Sequence, residues 1–323
     1  MRKIVFNGFR HGHVNGLYEV VKNCSELEVV GCYEPDEEAR SKAESQLKRS
    51  ISAEGYAEML AVADIVAIGG KYGERGSAII EALKAGKHVI SDKPICTSLH
   101  EFDEIIRLSR EKGLSVICML DLRYTATAQI AKPILGSGEL GAVRNISFNG
   151  QHCLDYGRRP KWYFEEGMHG GTVNDIGIHG VDLIRYLTGL NFIHADAVRA
   201  WNSYADKEPH FKDCATFMAR LENGAGVIAD ISYASPSVSL TPPSYWEFRF
   251  WCVRGMLEFN YSTPLVKVYR EGADKVENIW GDADGTIWLT DLLHEIETGD
   301  RSITEDMLES ARQTLWLQEQ AKD

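Results

Sequence analysis

In the stretch GGTVNDIGIHGVDLIRYL, residues 170–187, Asp175, His179 and Asp182 stand at positions i, i+4 and i+7. At about 100° per residue they share a narrow strip of one helix with Tyr186, while Ile176, Ile178, Val181, Leu183, Ile184 and Leu187 cover most of the remaining circumference. A histidine with a carboxylate one turn earlier can take the proton of a hydroxyl and be held in register while doing so. The same residues also fit an ordinary buried helix, with Asn174 or Asp175 as N-cap, His179 as a hydrogen-bonded core histidine and Asp182 at the surface. A second chemical candidate is Lys93 in HVISDKPI, whose ammonium could stabilise a developing alkoxide. Asp175, His179, Asp182 and His169 have the ligand types of a metal site, but the lysine makes an ion unnecessary, so no metal is expected.

These groups need elements to position them. From Arg2 to about Asp121, short apolar runs (KIVFN, EVVGCYE, DIVAIGG, HVISDK, SVICML) alternate with helical patterns, the signature of a parallel, doubly wound sheet. Lys93 then falls at the carboxyl end of the fourth strand, where open α/β sheets bind ligands. Beyond a helical stretch ending near Gly138 come longer strand-like runs, from VRNISFNGQH to LVKVYRE. Asn223-Gly224 and Arg254-Gly255 separate neighbours at hairpin spacing, which predicts a mainly antiparallel sheet. Helical patterns over 286–298 and 304–321 close the chain. The expected division is 1–121 and 122–323: a doubly wound α/β domain followed by an α+β domain with an open sheet.

With 323 residues, 44% hydrophobic and 25% charged, the chain has enough material for two cores. A net charge of −12 without basic clustering excludes a nucleic-acid or anionic-membrane surface. Seven cysteines, with no C-x-x-C pair and several inside apolar runs, are expected to be reduced core residues. MRKIVFNGF lacks the apolar core of a signal peptide, so the expected compartment is the cytoplasm.

The first strand leads into a turn, KIVFNGFRHGHVNGL, that in a dinucleotide fold would bring backbone amides to a pyrophosphate. With Gly8 as the first glycine, Arg10 and His13 occupy the later small-residue positions; Arg10 and His11 could offer side chains to phosphate instead. Glu34, ending the second strand, is placed to accept from ribose hydroxyls and to repel a 2′-phosphate, which favours NAD over NADP. Gly70 and Tyr72 of GGKYGER, with Asp92 and Lys93, complete the candidate cofactor-binding set.

AGKHVISDKPI followed by GGTVNDIGIHGVDLIRYLTG resembles the glucose-fructose oxidoreductase, inositol dehydrogenase and rhizopine-catabolism family (Gfo/Idh/MocA), whose members carry a Glu-Lys-Pro box and a later Gly-Gly pair with Asp-x3-His. The departures are Asp92-Lys93-Pro94 in the box, the missing glycines of the first turn, and GGKYGER in place of a Thr-Pro loop. The resemblance implies an N-terminal Rossmann domain, an open C-terminal sheet used for homodimers or homotetramers, a nicotinamide cofactor, and sugars or cyclic polyols as substrates. It makes Lys93, Asp175 and His179 the catalytic residues, with the polar strip turned toward the nicotinamide. Arg158, Arg159, Lys161, Trp162 and Tyr163 could stack on a sugar ring or pair with an acidic group, and the alternative is a loop with its tryptophan in the core. The substrate-binding candidates are therefore Lys93, Arg159, Trp162, Asp175 and His179. The expected reaction is hydride transfer between NAD(P) and a secondary hydroxyl, with an NAD-dependent glycosidase or a non-catalytic cofactor-binding regulator as alternatives.

Overall fold

The computed structural model describes residues 1–236, 245–282 and 288–322. The chain divides into two compact units. In the first, strands β1 (Arg2–Asn7), β2 (Leu27–Tyr33), β3 (Ile65–Ile68), β4 (His88–Ser91) and β5 (Val116–Cys118) pair in parallel in the order β2-β1-β3-β4-β5. Helices α1 (Gly12–Lys22), α2 (Glu37–Leu47), α3 (Tyr56–Val62), α4 (Tyr72–Lys84) and α5 (Leu99–Lys112) fill the connections. Every residue of β3 and β5 is buried, because helices cover both faces of a parallel sheet and leave no polar side to alternate.

This unit comprises Met1–Leu120 with Gly167–Gly170 and Ile287–Glu309, and the last two segments lie beyond the boundary drawn at 121. Gly73 N donates to Met168 O at 2.9 Å; for the later segment the reason is the edge of β5: Val116 N donates to Thr304 Oγ1 at 3.0 Å, and buried Glu295 of α8 (Trp288–Thr298) accepts from Thr304 N at 2.7 Å. The C-terminal helical region thus satisfies strand groups that would otherwise be left unpaired. The helix expected from 286 has its first two positions outside the described residues.

In the second unit, α6 (Ala126–Gly136) and α7 (Ile178–Thr188) accompany an eight-stranded sheet. Its strands are β6 (Val143–Cys153), β7 (Phe192–Trp201), β8 (Cys214–Leu221), β9 (Gly226–Ser235), β10 (Glu247–Cys252), β11 (Gly255–Phe259), β12 (Leu265–Arg270) and β13 (Glu277–Trp280), in the order β13-β12-β11-β10-β6-β9-β8-β7. All pairs are antiparallel except β6 with β9. Gly224 makes the β8–β9 turn at φ +81°, as its sequence position suggests. Gly255 is not a turn residue: it begins β11, and a Cβ there would lie 2.2 Å from the Tyr269 carbonyl oxygen. The last helix, α9 (Ser302–Glu319), passes from the first unit into the second at Ser310.

Cross-strand register places Met218, Ile228, Ser147, Arg249, Glu258 and Lys267 in one row on one face of this sheet. Phe148, Phe217, Phe248 and Phe250 are buried on the other. All seven cysteines are free thiols, four of them buried. No helix among the described residues is long and apolar enough to cross a membrane.

Candidate active site

In the first unit, the turns after β1 and β3 nearly touch. Gly8 has φ +89°, and a Cβ there would lie 2.5 Å from Gly70 N, so only glycine fits. Beside them is a hollow of about 150 Å³ lined by Asn7, Gly8, Arg10, Glu34, Gly70 and Arg75. Helix α1 starts next to it without a side-chain cap and without an acidic residue in its first turn. Its positive dipole end suits an anion.

Glu34 is only 1% exposed, and its carboxylate accepts from Phe9 N at 2.8 Å, Arg10 Nε at 3.0 Å and Asp36 N at 3.0 Å. Arg10 is therefore not aimed at a phosphate: it pairs with Glu34 at 2.9 Å and reaches Asp36 at 3.5 Å, because a carboxylate so buried needs a counter-charge. His11 likewise places Nδ1 3.0 Å from Asp92, and burial lowers its pKa against the opposing pull of that carboxylate. Both side chains expected at a phosphate are thus engaged with carboxylates in the structure. A nicotinamide dinucleotide fits this unit on two counts: two glycine turns in close approach, and an uncapped helix start beside an acid ending β2.

Asp92 is fully buried and accepts from Lys93 N at 2.8 Å and Arg75 Nη2 at 2.9 Å, with His13 Nδ1 also 3.0 Å away. Burial alone would push its carboxyl pKa up; the Arg75 guanidinium, helped by the two histidines, holds it well below the usual range. Arg75 is equally buried and further donates to Gly70 O at 2.9 Å, to Lys93 O, and to Pro94 O at 3.2 Å, across a cis Lys93–Pro94 peptide. It joins the β3 turn to the lysine box, a role that sequence reasoning missed. The signal was there: Tyr72, Arg75, Gly76 and Ile79 form the buried face of α4, and an arginine on such a face needs a partner. Tyr72, expected at the cofactor, is buried beneath that guanidinium, 4.4 Å from ring centre to Arg75 Cζ. Lys93 is 2% exposed at the end of β4. The ligand atoms of His11, His13 and Asp92 lie within 4.8 Å of one another, a spacing that suits a cation. The Arg75 guanidinium already on Asp92 would repel a divalent ion there.

In the second unit, the polar strip begins in a wide π-helical turn, Val173–Gly177, that runs into α7. Neither Asn174 nor Asp175 caps it. The Gln318 side chain of α9 accepts from Val173 N at 3.0 Å and Asn174 N at 3.3 Å, and a Cβ on Gly171 would lie 2.2 Å from Gln318 Cδ. Asp175, His179 and Asp182 are all buried, each with a different partner.

Asp175 Oδ2 accepts the Tyr233 hydroxyl of β9. Burial and the Asp175 charge push the Tyr233 phenol well above its ordinary pKa, which keeps it a donor. Behind it Arg159 lies 4.6 Å from the Tyr163 ring centre and 5.0 Å from that of Tyr233, donating to Leu154 O at 2.7 Å and Cys153 O at 2.5 Å. Arg159, expected at the substrate, thus backs the Asp175–Tyr233 pair. Trp162 is buried against Tyr163 with ring centres 4.2 Å apart, the core position that was the alternative to a sugar platform. Arg158 pairs with Asp155 at 2.6 Å, and Lys161 is exposed.

His179 turns Nδ1 toward Asp121, 3.3 Å from Oδ1. Its ring packs edgewise on Trp246, 5.2 Å between centres. Trp246 has φ +48°, rare for a bulky residue, and its ring fills space that a Cβ on Gly150 would invade at 2.3 Å. Asp182 is not at the surface: Arg123 donates to both its oxygens, one at 2.6 Å from Nε. On the opposite side of the helix, a Cβ on Gly180 would lie 2.1 Å from the Phe148 ring, so the sheet approaches closely behind. Asp121 and Tyr233 were not singled out from the sequence. Tyr233 sits in an apolar strand run without a mark, whereas Asp121 follows the last parallel strand, where polar residues gather at ligand sites.

Residues 6–119 match the sequence profile of the oxidoreductase family with an NAD-binding Rossmann fold, and residues 128–258 that of the GFO/IDH/MocA C-terminal domain. Glucose-6-phosphate 3-dehydrogenase of Bacillus subtilis is 26% identical over 276 residues, 81% of this chain and 74% of that one. Levoglucosan dehydrogenase of Pseudarthrobacter phenanthrenivorans is 30% identical over 34% of this chain and 29% of its own length. Among solved structures, an oxidoreductase from Erwinia carotovora superposes with a TM-score of 0.89 at 20% identity, covering 100% of this chain and 99% of that one. One from Agrobacterium radiobacter, solved with NAD+, L-tartaric acid and magnesium, gives 0.79 at 18% identity over 99% of this chain and 95% of that one.

Proposed function

The chain belongs to the Gfo/Idh/MocA oxidoreductase family, and from that premise we propose that it is an NAD-dependent dehydrogenase acting on a secondary hydroxyl of a sugar, sugar acid or cyclic polyol. The observation that carries this reading is the pair of buried, partnered groups one turn apart, Asp175 on Tyr233 and His179 beside Asp121. Such groups are held in fixed orientation before any substrate arrives.

His179 takes the hydroxyl proton and Asp175 orients the substrate. Lys93 stabilises the alkoxide as it develops. Bound nicotinamide would supply the hydride acceptor. Gly8, Gly70 and the start of α1 would hold its phosphates, with Glu34 and Asp36 toward the ribose. The Glu34 and Asp36 carboxylates at the end of β2 support NAD over NADP. Relatives named for glucose-6-phosphate and D-apiose support a carbohydrate substrate.

A panel of polyols, aldoses and uronates with NAD or NADP, followed by NADH or NADPH absorbance and run beside nitrophenyl glycosides, tests the proposal. With the active substrate, His179→Ala should lower turnover by about 10²- to 10⁴-fold and leave NAD affinity unchanged. Unchanged turnover in a stable variant would remove His179 from the mechanism.

A further inference from the structure

We propose that Asp121 is a positioning residue for His179: its negative charge beside Nδ1 favours the Nδ1–H form of the imidazole, leaves Nε2 as the proton acceptor, and stabilises the imidazolium that forms. The inference rests on the assignment of His179 as the base and extends it to a residue outside the sequence pattern.

Asp121 begins the helical turn after β5, and its Oδ1 is 3.3 Å from His179 Nδ1, within ion-pair range though not aligned as a hydrogen bond. The histidine side chain is 5% exposed and the aspartate 29%. That asymmetry suits a positioning role, since the shielded imidazole feels the neighbouring carboxylate charge strongly. The ring also packs edgewise on Trp246, a residue held at positive φ, which restricts its movement.

The other charged and titratable groups nearby are already engaged. Asp175 is bonded to Tyr233, Asp182 to Arg123, and His152 packs on Trp246. Tyr245 and Tyr261 face Asp121, and burial raises both phenols, to about 12 for Tyr245, so they stay neutral at working pH. Asp121 is thus the carboxylate placed to act on His179 through Nδ1. In the step it supports, the substrate O–H bond breaks and an Nε2–H bond forms, while the carboxylate itself remains unprotonated.

Nitrogen-15 NMR of uniformly histidine-labelled protein tests this without a substrate. The His179 signals are identified by their loss in His179→Gln. In the parent, the neutral ring should be the Nδ1–H tautomer. Asp121→Asn should lower the ring pKa by about 1 to 3 units, the usual effect of losing an opposite charge at this range. Asp121→Ala should lower the pKa and release the tautomer, and Asp121→Glu should restore part of the shift. A ring pKa and tautomer unchanged in both Asp121→Asn and Asp121→Ala would overturn the proposal, even if the variants melt at lower temperature. In turnover assays, a defective His179→Ala beside an Asp121→Asn with the parent pH profile would refute this inference alone, whereas an active His179→Ala would refute the reading beneath it.

Discussion

Asp182 shares the helical strip with His179, yet the structure gives it to Arg123, and removing it separates support from chemistry. The side chains of Arg123 and Asp182 are 4% and 1% exposed and meet through two hydrogen bonds. At the 2.6 Å separation of Nε and Oδ2, with an effective dielectric near 20, the direct attraction is roughly 6 kcal/mol. Much of that offsets the desolvation of both ions. Asp182→Ala is nevertheless expensive, because it strands a buried guanidinium, at a typical cost of about 3–5 kcal/mol. The Tyr186 ring, 5.2 Å from Arg123 Cζ, keeps its cation–π contact and argues for the lower end. At about 2–4 °C per kcal/mol for a unit of this size, the melting temperature should fall by roughly 6–12 °C. Urea unfolding followed by tryptophan fluorescence gives the free energy, and calorimetry the temperature. The double variant Arg123→Leu/Asp182→Leu should recover most of the loss, since no unpaired charge remains. Below its melting range, Asp182→Ala should bind NAD like the parent. A stability within about 0.5 kcal/mol of the parent, the ordinary range for surface substitutions, would refute the reasoning.

Two further outcomes follow from other parts of the fold. Burial pushes the His88 imidazole down to about 4, and its Nδ1 accepts from Ser115 N at 3.1 Å. The unfolded chain therefore takes up the proton first, near pH 6.5, so this contribution is complete above that pH and is lost as pH falls toward 4; discounted for partial exposure it amounts to about 1–2 kcal/mol. Urea midpoints at pH 7 and pH 4.5 should lie closer together in His88→Gln than in the parent, and an equal gap would contradict the assignment. The open sheet face carries Met218, Ile228 and Trp251 at 52%, 49% and 48% exposure, which supports a homo-oligomer buried through that face. Light scattering at micromolar concentration should find Ile228→Glu dissociated, and a monomeric parent would sink the proposal.

The parallel sheet was legible because each of its strands is a short apolar run bounded by a helical pattern, and the second sheet because its strands alternate. What escaped were partnerships across long stretches of chain. Tyr233 meets Asp175 over 58 residues and Arg123 meets Asp182 over 59, and helical periodicity is blind to both. The strip of α7 was visible, but which of its acids does chemistry depends on these distant partners. The same holds at Glu34, whose position was readable while the arginine lying on it was not. Strand β13 escaped for a local reason: its residues are mostly exposed, so ENIW carries no buried alternation.

The parallel pairing of β6 with β9 carries a consequence for how the molecule is made. Strand β6 sits inside the sheet between β10 and β9, so its two hydrogen-bonding neighbours emerge from the ribosome only after α7, β7 and β8. Until β9 arrives, β6 offers two unpaired edges and the side chain of Phe148, which in the finished protein lies under Gly180. The start of the helical strip waits longer still, since Gln318 supplies its N-terminal acceptor. Such non-local closure slows folding and prolongs the exposure of sticky edges. The first unit's sheet, by contrast, is synthesised by residue 118. Nascent chains should therefore pass through a stage with an ordered parallel sheet and an unformed second sheet, the stage most in need of a chaperone.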